Sequence, residues 1–282
     1  RKGDYLGDTI QVIPHITDEI KKRIRAVNEP AEYDIIITEV GGTVGDIEGL
    51  PFYEAIRQYI LEEGKENCLV IHTTLLPFIS AAGEVKTKPT QHSVMRLREI
   101  GLEPNLLVCR TEANHHLTSK LKKKLGLFCN VETRHVFESP DVETIYEIPL
   151  VLNQQKFDDI IIQKLGLKSE VHEDNLYILE NYIERFKHPR TTVTIAMCGK
   201  YNSLHDAYKS IIEAFIHAGI ENETHVKVKW VDMEKLESEG KKDDYFHQVD
   251  GILIPGGFGD RGIEGKIMAS QYARENEIPF FG

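Results

Sequence analysis

Ile252-Leu253-Ile254-Pro255-Gly256-Gly257-Phe258-Gly259 reads as a short buried strand that opens directly into a glycine turn, and that reading decides the fold class. A continuous apolar run bounded by such a turn suits a parallel sheet covered on both faces. Tyr33-Asp34-Ile35-Ile36-Ile37-Thr38-Glu39-Val40-Gly41-Gly42-Thr43-Val44-Gly45-Asp46 repeats the architecture with a carboxylate at the expected strand end. Ile278-Pro279-Phe280-Phe281 reads as a further buried strand.

Outward from these stretches, β-like runs alternate with helix-period segments, the pattern of parallel βαβ units. The spacing predicts strands over 35–40, 68–75, 105–109, 192–198, 225–231 and 250–254. It predicts helices near Thr17–Val27, after Pro51, and over 90–100, 204–218 and 263–276, with an amphipathic segment over 144–165. Gly101, Gly166 and Gly219 are placed to end the helices before them. The acidic stretch 168–190 has helical period and closes with His188-Pro189-Arg190. These readings divide the chain into a domain over 1–166, a linker helix over 167–190 and a second domain over 191–282.

A chain of 282 residues is long enough for two α/β domains, and its 41% hydrophobic and 28% charged residues are those of a globular protein. Its net charge of −11 argues against a general nucleic-acid or membrane-surface binder, because phosphate backbones and anionic lipids repel it. No apolar run approaches the roughly 20 residues that span a bilayer, and Arg1-Lys2-Gly3-Asp4 is no signal peptide. Cys68, Cys109, Cys129 and Cys198 are widely spaced, which predicts free, mostly buried thiols in a reducing compartment and no zinc site.

Glu39 and Asp46 flank a glycine turn at the expected carboxyl edge of a sheet, where a carboxylate suits magnesium bridging to phosphates. The alternative is a turn in which Asp46 caps the next segment. Gly83-Glu84-Val85-Lys86-Thr87-Lys88-Pro89-Thr90-Gln91 offers two ammonium groups and two hydroxyls at the start of a helix, a plausible triphosphate cradle whose rival is a solvated lysine loop. Lys120-Leu121-Lys122-Lys123-Lys124 reads as a solvated helix face or a third phosphate contact. Gly256 and Gly257 leave backbone amides uncovered, as an oxyanion site needs, although a tight β-to-α turn gives the same pattern. His15, His72 and His92 have no spaced partners for metal.

In identity and order these motifs resemble the CTP synthase family. The likeness rests on Gln11-Val12-Ile13-Pro14-His15, Gly41-Gly42-Thr43-Val44-Gly45-Asp46-Ile47-Glu48, Lys86-Thr87-Lys88-Pro89-Thr90-Gln91, Leu127-Phe128-Cys129-Asn130 and Gly256-Gly257-Phe258-Gly259, and it covers essentially the whole chain. It implies a P-loop NTPase-like amidoligase domain followed by a flavodoxin-like class I glutamine amidotransferase domain. It implies ATP, UTP and glutamine as substrates, Mg2+ as cofactor, GTP as activator, a homotetramer and a cytoplasmic enzyme. Carried over by residue, Glu39 would be the metal ligand. Gln11, Val12, Asp46, Ile47, Glu48, Lys86, Thr87, Lys88, Pro89, Thr90, Gln91 and Lys124 would meet UTP or CTP, and Asp141 and Val142 would meet ATP. Gly256, Gly257 and Phe258 would hold glutamine and its oxyanion, while Arg261, Gly262 and Glu264 match a segment tied to GTP and ammonia transfer.

The family's P-loop would precede Arg1 and its G-x-C-x-G nucleophile would start at Gly282, so both domains are expected to be incomplete and the chain alone inactive. Two rivals remain at this stage: another P-loop amidoligase acting on a vitamin precursor, and a silent nucleotide-binding or assembly module.

Overall fold

In a computed structural model the described residues are 7, 9–29, 33–168, 173–199, 205–257 and 260–282. They form two compact units, Arg1–His172 and Glu173–Gly282.

The first unit opens with helices α1 (Thr17–Ala26) and α2 (Leu50–Glu63). Strand β1 (Ile71–Leu76) follows, then a small hairpin of β2 (Phe78–Ile79) and β3 (Glu84–Val85), and helix α3 (Lys88–Glu99). Strand β4 (Leu106–Thr111), α4 (Ser119–Cys129), β5 (Val136–Pro140), α5 (Ile148–Gln154) and α6 (Phe157–Leu165) complete it. The sheet runs β1-β4-β5 and both pairings are parallel. Strand periodicity of two sends alternate residues of β4 to opposite faces. Leu107 and Cys109 pack with Val94, Leu125 and Cys129 from α3 and α4, whereas Leu106 and Val108 pack with Phe137, Leu152, Phe157 and Ile160 toward α5 and α6. The continuous apolar run of β4 therefore needs helices on both sides, and the chain supplies them.

Local chemistry sets the helix ends. Thr118 accepts a hydrogen bond from Leu121 N at 3.3 Å to cap α4, and Asn130 ends it with φ 56°. Gly101, just after α3, has φ 92° as expected of a left-handed terminator. Helices α5 and α6 break at Lys156, φ 64°, within the segment read as one amphipathic element. At the break the Gln155 amide accepts from Glu138 N at 2.9 Å and donates to Glu138 O at 2.8 Å, pairing with β5 on the side away from β4.

One expected strand is absent. Residues 33–46 form no ladder, and Ile35 and Ile37 are 50% and 91% exposed. Apolar β-branched side chains do not make a strand without a neighbour for the backbone, and this segment has none among the described residues.

The second unit starts with α7 (Glu173–Lys187), so the helix expected as a linker packs against α8 (Lys209–Glu221) within this unit. Strands β6 (Thr191–Gly199), β7 (Thr224–Asp232), β8 (Gly251–Leu253) and β9 (Phe280–Phe281) pair in the order β7-β6-β8-β9, all parallel. Counted within the unit this is 2-1-3-4, the start of the flavodoxin-like doubly wound order. Helices α9 (Met233–Glu239), α10 (Lys242–Phe246) and α11 (Ile263–Glu275) contribute Met233, Leu236, Phe246, Ala269 and Ala273 to a core with Ala196, Cys198, Val231 and Ile252.

Gly219 does not end α8, which continues to Glu221. It is glycine because a Cβ there would lie 2.5 Å from Thr224 O. Gly265 in α11 is tighter still, since its Cβ would sit 2.2 Å from Met233 O on α9. Gly265→Ala must push α11 off α9, and is expected to destabilise the second unit by about 1–3 kcal/mol. Urea denaturation followed by the fluorescence of the single tryptophan, Trp230 on β7, measures it; an unchanged midpoint would show that the contact relaxes freely.

Candidate functional site

Parallel strands deliver all their carboxyl ends to one edge, so the loops after β1, β4 and β5 emerge side by side. The loop after β1 carries the lysine motif. Thr87 is the N-cap residue of α3, Pro89 lies in its first turn, and Lys86 and Lys88 flank that helix start. The N-terminal amides of a twelve-residue helix and two ammonium groups thus face one exposed region.

The threonines do different work from the lysines. Thr90 is 1% exposed and donates to Thr74 Oγ1 at 3.1 Å, within reach of Leu75 O at 3.2 Å. Thr74 in turn reaches Cys109 Sγ at 3.8 Å. Thr87 is 3% exposed and accepts from Gln91 Nε2 at 3.0 Å. The Thr90 hydroxyl pins α3 to the sheet while that of Thr87 braces the first turn of the helix, and His72 adds a second tie to the sheet: its Nε2 lies 2.9 Å from Ser93 Oγ and its burial lowers its pKa. Lys86 pairs with Glu84, and Lys88 is exposed. Lys86 first, and Lys124 on α4 in addition, hold the Glu84 carboxyl below its usual range, which brings Lys124 to the same region.

The lysine run on α4 is not uniformly solvated. Lys122 donates to Gln155 Oε1 at 3.1 Å and burial lowers its pKa. Lys123 and Lys124 are exposed, which suits a solvated face and a phosphate contact equally.

After β5, Asp141 N donates to Thr111 O at 2.8 Å and its carboxylate meets Arg110 Nη2 at 3.2 Å, with Val142 next in the chain. Glu138 anchors the neighbouring loop: its Oε1 accepts from Thr111 Oγ1 at 2.9 Å and Leu117 N at 3.0 Å, and lies 3.2 Å from His116 Nδ1. The adjacent pair His115-His116 reads in the sequence only as unsuited to a shared ion, and Arg110, Glu112 and Glu138 carry no signal there, because their partners Asp141, Phe78 and Thr111 lie 27 or more positions away.

Asp46 closes its own turn. Its Oδ2 accepts from Thr43 N at 3.3 Å, with Gly42 and Gly45 at φ 82° and 106°. Glu39, Ile47 and Glu48 are exposed, Ile47 at 82%, and Glu39 follows no strand. Gln11 and Val12 are exposed, and Gln11 N donates to His15 Nδ1 at 3.0 Å. Among the described residues no three acidic, histidine or cysteine side chains group as a metal cage.

In the second unit, Gly256 and Gly257 follow β8 beside the point where strand order reverses between β6 and β8, and both are exposed. Phe258 lies outside the described residues. Gly262, φ 70°, starts α11, Glu264 is exposed in its first turn, and Arg261 Nη1 lies 3.4 Å from Glu234 Oε1. Burial disfavours the thiolate form of all four cysteines. Burial pushes Cys109 and Cys198 up to about 12 and Cys129 up to about 11, and also raises Cys68.

A parallel α/β unit with two lysines at a helix start on its carboxyl edge, joined in sequence to a doubly wound unit, defines a two-module class of α/β proteins. Residues 203–282 match the family described as glutamine amidotransferase class-I, and residues 1–167 match the one described as CTP synthase N-terminus. The chain belongs to the CTP synthase family. CTP synthases of Caldanaerobacter subterraneus and Methanocaldococcus jannaschii are each 53% identical to it over its full length. The chain spans about half the length of these relatives, 52% in both cases. The glutaminase domain of Trypanosoma brucei CTPS with bound acivicin is 42% identical over 32% of this chain and 35% of that one, with a TM-score of 0.29. No helix among the described residues is long and apolar enough to cross a membrane.

Native protein is expected to react with a thiol reagent at pH 8 through Cys68 alone, which is partly exposed, while the three buried thiols react only after denaturation. Rapid labelling of Cys109, Cys129 or Cys198 in the folded protein would contradict their burial.

Proposed function

We propose that the protein carrying this chain makes CTP from UTP: ATP phosphorylates the 4-oxygen of the pyrimidine, and ammonia from glutamine hydrolysis displaces the phosphate. The observation that carries the reading is the pair of lysines at the N-terminus of α3, on the carboxyl edge of a parallel sheet, in a member of the CTP synthase family. A chain of net charge −11 repels a triphosphate in general, so local cations must overcome that field. Lys86, Lys88 and Lys124 supply point charges, and the first turn of α3 supplies oriented amides. Thr87, Thr90, Pro89 and Gln91 shape the cradle from behind, two of them through buried hydroxyls. Asp46, Ile47 and Glu48, with Gln11 and Val12, would recognise the rest of the pyrimidine nucleotide, the last two from a neighbouring subunit of a homotetramer. Asp141 and Val142 would hold ATP.

The donor set fits magnesium carried in by phosphates, not a resident ion. Glu39 is a single exposed carboxylate, and one or two such groups suffice for an ion that keeps its phosphate ligands. When bound, the ion would neutralise charge on the transferring phosphoryl group. Gly256 and Gly257 would present amides to the oxyanion of glutamine hydrolysis, with Phe258 beside them. The buried thiols of this chain are not its nucleophile. Arg261, Gly262 and Glu264 would take part in GTP activation and ammonia transfer. Cytoplasmic location accords with the free cysteines.

Lys86→Ala is expected to weaken UTP and CTP binding together, by on the order of tenfold, as loss of a charge-assisted contact predicts. Calorimetry showing unchanged binding of both would refute the cradle. Glu39→Ala is expected to abolish CTP formation from ammonium while sparing glutamine hydrolysis, because the metal serves only phosphoryl transfer. Normal ammonium-dependent synthesis in that variant would remove Glu39 from the metal site.

A further inference from the structure

The hairpin that carries the lysines cannot hold its own position. β2 and β3 pair only through Phe78 with Val85 and Ile79 with Glu84, and an isolated two-stranded ladder is marginal in water. Lys86 N donates to Pro77 O at 2.9 Å and closes the hairpin base. What fastens that base is the loop after β4. Glu112 Oε1 accepts from Phe78 N at 3.2 Å, and the His115 ring stacks on the Phe78 ring with centroids 3.5 Å apart and planes at 26°. His115 N donates to Glu112 O at 2.9 Å, so both contacts come from one turn.

The imidazole is used as a flat surface. Its Nδ1 is buried without a hydrogen bond and lies 3.9 Å from Glu112 Oε2. Burying an unpaired ring nitrogen is unfavourable, so the ring is kept there for its face and a phenyl ring would serve as well. From the same loop the chain enters α4 through the Thr118 cap and reaches Lys124. The turn therefore stands between the two elements that bear the cradle's cations.

We propose that Phe78, His115 and Glu112 form a clamp that sets Lys86 and Lys88 against Lys124, which makes His115 and Glu112 positioning residues for the pyrimidine nucleoside triphosphate. The inference rests on the cradle reading above. It differs from it in assigning a role to side chains that touch no phosphate.

Calorimetry with UTP, CTP and ATP on the full-length protein that carries this chain tests the clamp. His115→Ala is expected to weaken UTP and CTP binding about three- to tenfold, the size of a lost ring stack. ATP affinity and the thermal midpoint should stay as they are, and His115→Phe should restore pyrimidine binding. Glu112→Gln, which keeps an acceptor oxygen for Phe78 N, should bind like the parent, whereas Glu112→Ala should match His115→Ala. If Lys86→Ala weakens binding but His115→Ala and Glu112→Ala do not, the clamp is wrong and the cradle stands. If Lys86→Ala itself has no effect, the cradle fails and takes the clamp with it. Equal losses of ATP and UTP affinity with a lower midpoint, or failure of His115→Phe to restore binding, would show a purely structural residue and overturn the proposal.

Discussion

The parallel pairing of β1 with β4, and of β4 with β5, is the constraint on which the first unit depends. Register runs from Ile71 opposite Leu106 to Leu76 opposite Thr111, so β1 and β4 end together. Antiparallel pairing would have sent their loops to opposite edges. Because the strands are parallel, each connection must cross the sheet through a helix, and the helix starts collect where the strands finish. The lysines at the start of α3, the Glu112–His115 turn and Asp141 share an edge for that reason alone.

Holding that edge requires polar groups inside an apolar core. Thr90, Thr74 and Cys109 link α3, β1 and β4 through hydroxyls and a thiol, and Glu138 gathers Thr111, His116 and Leu117 N onto one carboxylate oxygen. Buried polar groups are costly when unpaired, and Thr90, Thr74 and Cys109 pair with one another. The consequence is a division of labour within one short motif. In Lys86-Thr87-Lys88-Pro89-Thr90-Gln91 the lysines face outward as charges, while Thr87 and Thr90 face inward and fix the direction in which those charges point.

The second unit solves the same problem with less polar support. Its order β7-β6-β8-β9 places a reversal between β6 and β8, and the glycine turn after β8 lies beside it. Close backbone approach does the positioning there. Gly265 lets α11 rest against Met233 O, and Gly262 takes a left-handed conformation to start that helix. The turn at Gly256 and Gly257 leads toward a helix whose seat on α9 a single methyl group would alter.

The chain's own letters determined the elements with strong periodicity or a local terminator. Helices α1, α3 and α11, the apolar strands β4, β6 and β8, and the left-handed residues after α3 and α6 follow from spacing and glycine placement, all short-range effects. The helix start at Lys88 was legible too, because its lysines, proline and first turn are consecutive. Tertiary structure decided what depends on a distant partner. Residues 33–46 carry a strand-like pattern but no ladder, since a strand exists only when another backbone takes up its hydrogen bonds. Gly219 reads as a helix end and is instead a point of contact with Thr224 O, and Lys122 reads as solvated and is instead bound to Gln155. His115 meets Phe78 across 37 positions, and Glu138 beneath the β4 loop reaches His116 across 22, only through the sheet. No spacing rule along the chain encodes such pairs, because what brings them together is the parallel register of strands that are themselves separated by helices.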